Sequence, residues 1–204
     1  GGLWDGYTLY ELYKEAHTPF EWHEDLFEYA RSINITIFSS PFDETAVDLL
    51  NDLDAPAYKI ASFEVTDLPL IEYVAHQKKP IIVSTGMANE EEISQCLETI
   101  ASTGNNDVIL LHCVSGYPTP YDQYNIKTIQ LLSEKFLVPV GISDHTLGTE
   151  VSVASLGFGV KFIEKHFTLS RSEKGPDSAF SLEPQEFQKL TREVKNAWKS
   201  FGIP

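Results

Sequence analysis

Short apolar runs closed by polar residues recur along the chain. They occupy residues 35–40, 57–62, 80–85, 108–113, 138–145 and 160–166. Their near-continuous apolarity predicts strands covered on both faces, as in a parallel sheet. A helical pattern follows each one. Asn89 precedes Glu90, Glu91 and Glu92, an N-cap with acids in the first turn. Thr18-Pro19 opens a helix ahead of the first run, with proline at the first helical position. Residues 184–201 form the last helix, where Phe187, Leu190, Val194 and Trp198 recur at the spacing of a core-facing stripe.

Strand then helix, repeated, means a parallel sheet with right-handed crossovers. One closure is an open doubly wound sheet. The other is a (β/α)8 TIM barrel with about six βα units present, since a complete barrel takes ~250 residues. The polar residues favour the barrel, because they end every run: Ser39 and Ser40, Ser62, Ser84 and Thr85, His112, Ser143 to His145, Glu164 to His166. A barrel mouth draws on many strand ends, whereas an open sheet concentrates its site at one switch point. The whole of residues 1–204 reads as one partial barrel domain.

Composition narrows the partners. A net charge of −15 disfavours nucleic acid and anionic membranes. An anionic substrate then needs a locally basic pocket. Cys96 and Cys113 have no metal-ligand or redox spacing and read as reduced thiols of a cytoplasmic protein. No apolar run reaches the ~18 residues of a membrane span, and the opening Gly1-Gly-Leu-Trp-Asp lacks the parts of a signal peptide.

Strand parity sorts the candidate chemistry. Ser143 and His145 differ by two and share a face, as do Glu164 and His166. Alone, either histidine reads as a hydrogen-bonded residue at a helix start. Side by side at a sheet mouth, two neutral imidazoles can hold a divalent metal. Lys165 has the opposite parity and is expected to face the helices. Lys59 interrupts an apolar strand, where an ammonium is costly without an anion. It suits a phosphate, a carboxylate, a Schiff base or a salt bridge to a neighbouring acid. The hydroxyls of Ser62, Ser84, Thr85, Ser115 and Ser143 can converge on a phosphate. Glu64 is placed for proton transfer or for orienting a substrate hydroxyl. Tyr117 is placed to line the pocket. Asp177 sits in a loop that can fold over the mouth, or is a solvated acid. His17, His23 and His76 read as surface or packing residues, and Cys113 as a core thiol.

The segments FSSPFD (38–43), YKIAS (58–62), STGM (84–87), HCVSGYPTP (112–120), GISDHTLG (141–148), IEKHFT (163–168) and GPDSAFSLEP (175–184) resemble, in order, those of the sialic acid synthase family. The opening LWDGYTLYELYKEAHTP (3–19) and FEVTD (63–67) look most like its pseudaminic acid synthase branch. The resemblance implies condensation of phosphoenolpyruvate with an acylated amino sugar, such as 2,4-diacetamido-2,4,6-trideoxy-altrose, to a nonulosonic acid. Sialic acid and legionaminic acid synthesis are its alternatives. By the same resemblance, His145 and His166 hold a divalent metal, typically manganese, with magnesium or cobalt as alternatives. Lys59, Ser84, Ser115 and Ser143 bind phosphoenolpyruvate, although some relatives carry an asparagine where Ser115 stands. Glu64, Tyr117 and Asp177 face the sugar, with Glu64, His145 and His166 catalytic. The family's first two barrel strands are expected ahead of Gly1, and its antifreeze-like domain, swapped across a homodimer, after Pro204. The chain alone is then expected to be inactive. A Schiff-base aldolase at Lys59 and an inactive binding remnant are the competing readings.

Overall fold

A computed structural model describes residues 6, 8–173 and 175–202. The opening residues 1–5 and 7, part of the segment that carries the branch resemblance, and Lys174 lie outside the described residues. Five parallel strands form one sheet: β1 (Tyr58–Ile60), β2 (Ile81–Ser84), β3 (Val108–Cys113), β4 (Val140–Asp144) and β5 (Ile163–Lys165). Their spatial order is their chain order. Among the described residues the sheet therefore advances in one direction with no switch point where the order reverses, which argues against the doubly wound reading.

The crossovers carry helices: α3 (Glu44–Asp52) ahead of β1, then α4 (Leu68–His76), α5 (Glu90–Ser102), α6 (Thr128–Phe136), α7 (Glu150–Ser155) and α8 (Pro184–Ser200). Two more, α1 (Leu9–Ala16) and α2 (His23–Ser32), precede them. Asn89 caps α5 as its sequence requires, accepting from the amides of Glu91 and Glu92 while Glu92 reaches back to the Asn89 amide. Pro19 precedes a single 3-10 turn, Phe20–Trp22, that leads into α2, and so sits one place earlier than the first helical position.

Alternation along each strand divides the sheet into two chemistries. Tyr58, Ile60, Ile81, Val83, Leu110, Val140 and Ile142 are buried against the helices and form the core. Lys59, Ser84, Cys113, Ser143 and Glu164 have the opposite parity. The register places Cys113, Ser143 and Glu164 on one rung of β3, β4 and β5. Gly141 keeps β4 close to the chain ahead of β5: a Cβ there would stand 2.5 Å from the Phe162 carbonyl oxygen.

The run at 35–40 is not a ladder strand. It contributes one parallel bridge, Ser39 to Tyr58, with the Lys59 amide donating to the Ser39 carbonyl at 3.1 Å. Ile35 is exposed, and Pro41 has no amide to continue the pairing. Six apolar runs therefore yield five strands and a bridge. Among the described residues no helix is long and apolar enough to cross a membrane.

Candidate active site

Polar groups collect at the C-terminal ends of the strands, where parallel sheets place their ligands. Lys59 on β1 is buried, its Nζ 3.8 Å from Glu164 Oε2 on β5 and donating to the Ile60 carbonyl at 3.1 Å. Burial pulls its ammonium below the usual lysine range, and Glu164 opposes that shift. Glu164 Oε1 accepts from Ser143 Oγ at 2.6 Å, and Ser143 Oγ lies 3.2 Å from His145 Nε2. Lys59, Glu164, Ser143 and His145 thus form a continuous polar row across the mouth. Glu164 is its central member, and the sequence reading named it without assigning it a site role. Its shared parity with His166 was the signal available.

His145 is held from the other side. Its Nδ1 faces the Val114 carbonyl at 2.9 Å, and a carbonyl can only accept, so Nδ1 carries the proton. Nε2 then keeps its lone pair. The Ser143 hydroxyl has one proton and Glu164 is its nearer acceptor, which leaves that lone pair available. The His166 ring lies 5.2 Å from the His145 ring, and its Nδ1 is 3.5 Å from Asp177 Oδ2. Burial lowers the pKa of both imidazoles and favours their neutral, ligating form. Tyr117 packs 4.4 Å from His145, and Phe180 packs 5.0 Å from His166, forming an aromatic wall. Burial pushes the Tyr117 phenol up to about 12, so it stays neutral.

Two imidazoles with an available lone pair fit a divalent ion as a two-nitrogen open site. Among the described residues no group of three or more histidine, cysteine, aspartate or glutamate side chains is arranged to hold a metal. The remaining positions of an ion here would fall to water or substrate oxygens.

Hydroxyls gather on the other side of the mouth. Ser62 Oγ accepts from the Gly86 amide at 3.2 Å and lies 3.2 Å from Cys113 Sγ. Ser84 Oγ and Ser115 Oγ are buried with no protein hydrogen-bond partner. Such oxygens call for a ligand or water. A Cβ on Gly86 would lie 2.5 Å from Cys113 Sγ and 2.7 Å from Ser115 Oγ, so only glycine fits between these groups. Thr85 does not join them, because its hydroxyl donates to the Leu111 carbonyl at 3.1 Å. Glu64 is half-buried with Oε2 unpartnered, and burial raises its pKa. Cys113 is a buried free thiol whose pKa burial raises. His112 faces the helix side and contacts the Tyr124 carbonyl at 2.8 Å.

The NeuB family profile matches residues 2–203. Pseudaminic acid synthases of Campylobacter jejuni and Helicobacter pylori are 46% and 44% identical over 99% of this chain. The chain spans 59% of the length of each of these relatives. Among solved structures, the N-acetylneuraminic acid synthetase of Leptospira borgpetersenii, crystallised with citrate, superposes with a TM-score of 0.90. It is 33% identical, and the match covers 94% of this chain and 67% of that one.

Proposed function

The chain belongs to the NeuB family, and from that premise we propose that its strand-end site joins phosphoenolpyruvate to an acylated amino sugar, releasing phosphate and giving a nonulosonic acid. The sugar proposed is 2,4-diacetamido-2,4,6-trideoxy-altrose, in keeping with the pseudaminic acid synthases among its relatives. The five sequential strands are proposed as part of a (β/α)8 barrel whose mouth is this site. The observation that carries the reading is the pairing of two neutral imidazoles with a buried lysine and partnerless serine hydroxyls at one sheet mouth.

Each residue has a role. Lys59 is proposed to neutralise the carboxylate or phosphate of phosphoenolpyruvate, while Ser84 and Ser115 donate to its oxygens and Ser143 turns its proton from Glu164 to the anion on binding. Fixing this anion removes much of the entropic barrier to the bimolecular step. Glu164 aims both Lys59 and Ser143. His145 and His166 would hold a divalent ion, manganese in the first instance, which would supply Lewis-acid polarisation of the sugar aldehyde. The methylene carbon of phosphoenolpyruvate attacks that aldehyde carbon and leaves a cationic C2. Water adds at C2, the C2–O bond to phosphate breaks with one of the water's protons leaving on the phosphate, and the other proton passes through a base to the former aldehyde oxygen. Glu64, with its raised pKa, is the group proposed to move that proton. Tyr117 and Asp177 face the sugar.

Oxygen-18 at the ester oxygen between C2 and phosphorus tests this sequence. In the full-length protein the label is expected in the released phosphate, since the C–O bond breaks. Label retained in the sugar acid would overturn the proposal. The lowered pKa of Lys59 favours a second reading, a Schiff-base aldolase. Borohydride with pyruvate would then trap the protein covalently, whereas the synthase forms no imine.

A further inference from the structure

Behind the two histidines, on the opposite face of the sheet, lies a charged pair that the proposed chemistry does not use. Asp144 and Lys165 are register partners on β4 and β5, and their side chains are almost entirely buried. Lys165 Nζ lies 3.0 Å from Asp144 Oδ2 and donates to the Thr146 carbonyl at 2.5 Å. Asp144 Oδ1 accepts from the Thr146 amide at 2.9 Å and the Thr146 hydroxyl at 2.7 Å, and Oδ2 accepts from Ser152 at 2.6 Å. Both charged groups have polar partners, and these span β4, the turn after it, α7 and β5.

His145 directly follows Asp144, and His166 directly follows Lys165. The preceding rung is closed on the site face by Ser143 and Glu164. The two strand ends are therefore clamped on both faces, one residue before each imidazole on the helix face and two residues before it on the site face. A buried ion pair is seldom the most stable choice for a core, since well-packed apolar residues often replace it without loss. What it supplies is direction: a fixed distance between two backbones and a fixed turn after the first.

We propose that Asp144 and Lys165 are positioning residues, a clamp that sets the separation and aim of His145 and His166 for a divalent metal ion. This rests on the metal reading of the site given above. The clamp touches neither substrate nor ion and acts through the strand ends.

The test uses the full-length protein and Mn2+ alone, titrated by electron paramagnetic resonance, with thermal melting alongside. Lys165→Met and the neutral double variant Asp144→Asn/Lys165→Met are compared with wild type. The double variant leaves no orphaned charge and remains informative if the single one fails to fold. Asn89→Ala, a remote helix-cap variant, shows what lost stability alone does. Mn2+ affinity of the folded double variant is expected to fall about 10-fold or more, as for other groups that orient metal ligands. The KM for phosphoenolpyruvate should change less than the Mn2+ affinity, because Lys59, Ser84 and Ser115 stand on β1, β2 and the segment after β3, away from the clamp. Affinity within about two-fold of wild type, at any melting temperature, would overturn the clamp while leaving the proposed function intact. Wild type with no saturable Mn2+ site would overturn the metal reading and the clamp together.

Discussion

Lys59 and Glu64 show how burial prepares single groups for chemistry. Lys59 keeps an ion pair at 3.8 Å to Glu164, so replacing it with methionine removes the cation and leaves an acid without its partner. Lys59→Met is expected to raise the KM for phosphoenolpyruvate at least 10-fold, with a smaller change in the KM for the sugar, measured by steady-state kinetics. Equal changes in both would contradict its assignment to the anion. Glu64 gives a prediction about pH. Its folded pKa lies above the ordinary 4.5 because burial penalises the carboxylate. As pH rises from 4.5, the unfolded chain loses this proton while the folded chain keeps it, so stability falls through the folded pKa. Glu64→Gln should therefore gain stability relative to wild type at pH 7 but not at pH 4, in urea denaturation without substrate. At this scale the sequence was informative wherever parity decides. Ser143, His145, Glu164 and His166 fall on the face that period-two alternation assigns, and Lys165 on the other. Side-chain competition was not legible: nothing in the string says that Thr85 gives its proton to Leu111 or that Glu164 sits between Lys59 and Ser143.

Elements depend on a few positions where backbone geometry allows little choice. Gly141 lies in β4 with the Phe162 carbonyl oxygen and Cβ 2.5 and 2.8 Å from any added Cβ. Backbone cannot yield as a flexible side chain does, so Gly141→Ala should destabilise by about 1–3 kcal/mol, the range of overpacked cores. Urea unfolding measures it, and an unchanged midpoint would contradict the close approach. Leu137 ends α6 in the left-handed region at φ 54° and is exposed. Leu137→Gly relieves the Cβ clash of that conformation and should raise stability by about 0.5–1 kcal/mol. Apolar runs marked the ladder strands well because both faces of a covered parallel strand are dry. The run at 35–40 misled because its apolarity is not matched by pairing, and only Ser39 bridges. The stripe on α8 holds only in part. Leu190 is buried and Phe187 packs against Phe167, but Trp198 is half exposed with Lys161 over its ring.

Across the whole molecule, sequential strand order explains why one face can gather chemistry from strand ends so far apart in sequence. Each crossover adds its strand on the same side of the last, and the sheet curves until Lys59 on β1 stands 3.8 Å from Glu164 on β5, so all five strand ends face one mouth. The repeating strand and helix pattern made the parallel sheet legible, but strand order is a property of tertiary packing that periodicity does not encode. At net charge −15 the chain still gathers a buried lysine and a cluster of hydroxyls at one sheet mouth. Phosphate release by the full-length protein, with phosphoenolpyruvate and Mn2+, tests the central claim most directly. Offered 2,4-diacetamido-2,4,6-trideoxy-altrose and N-acetylmannosamine separately, the protein is expected to release phosphate with the altrose and far less with the mannosamine. Release with neither sugar would contradict the assignment of this site to nonulosonic acid synthesis.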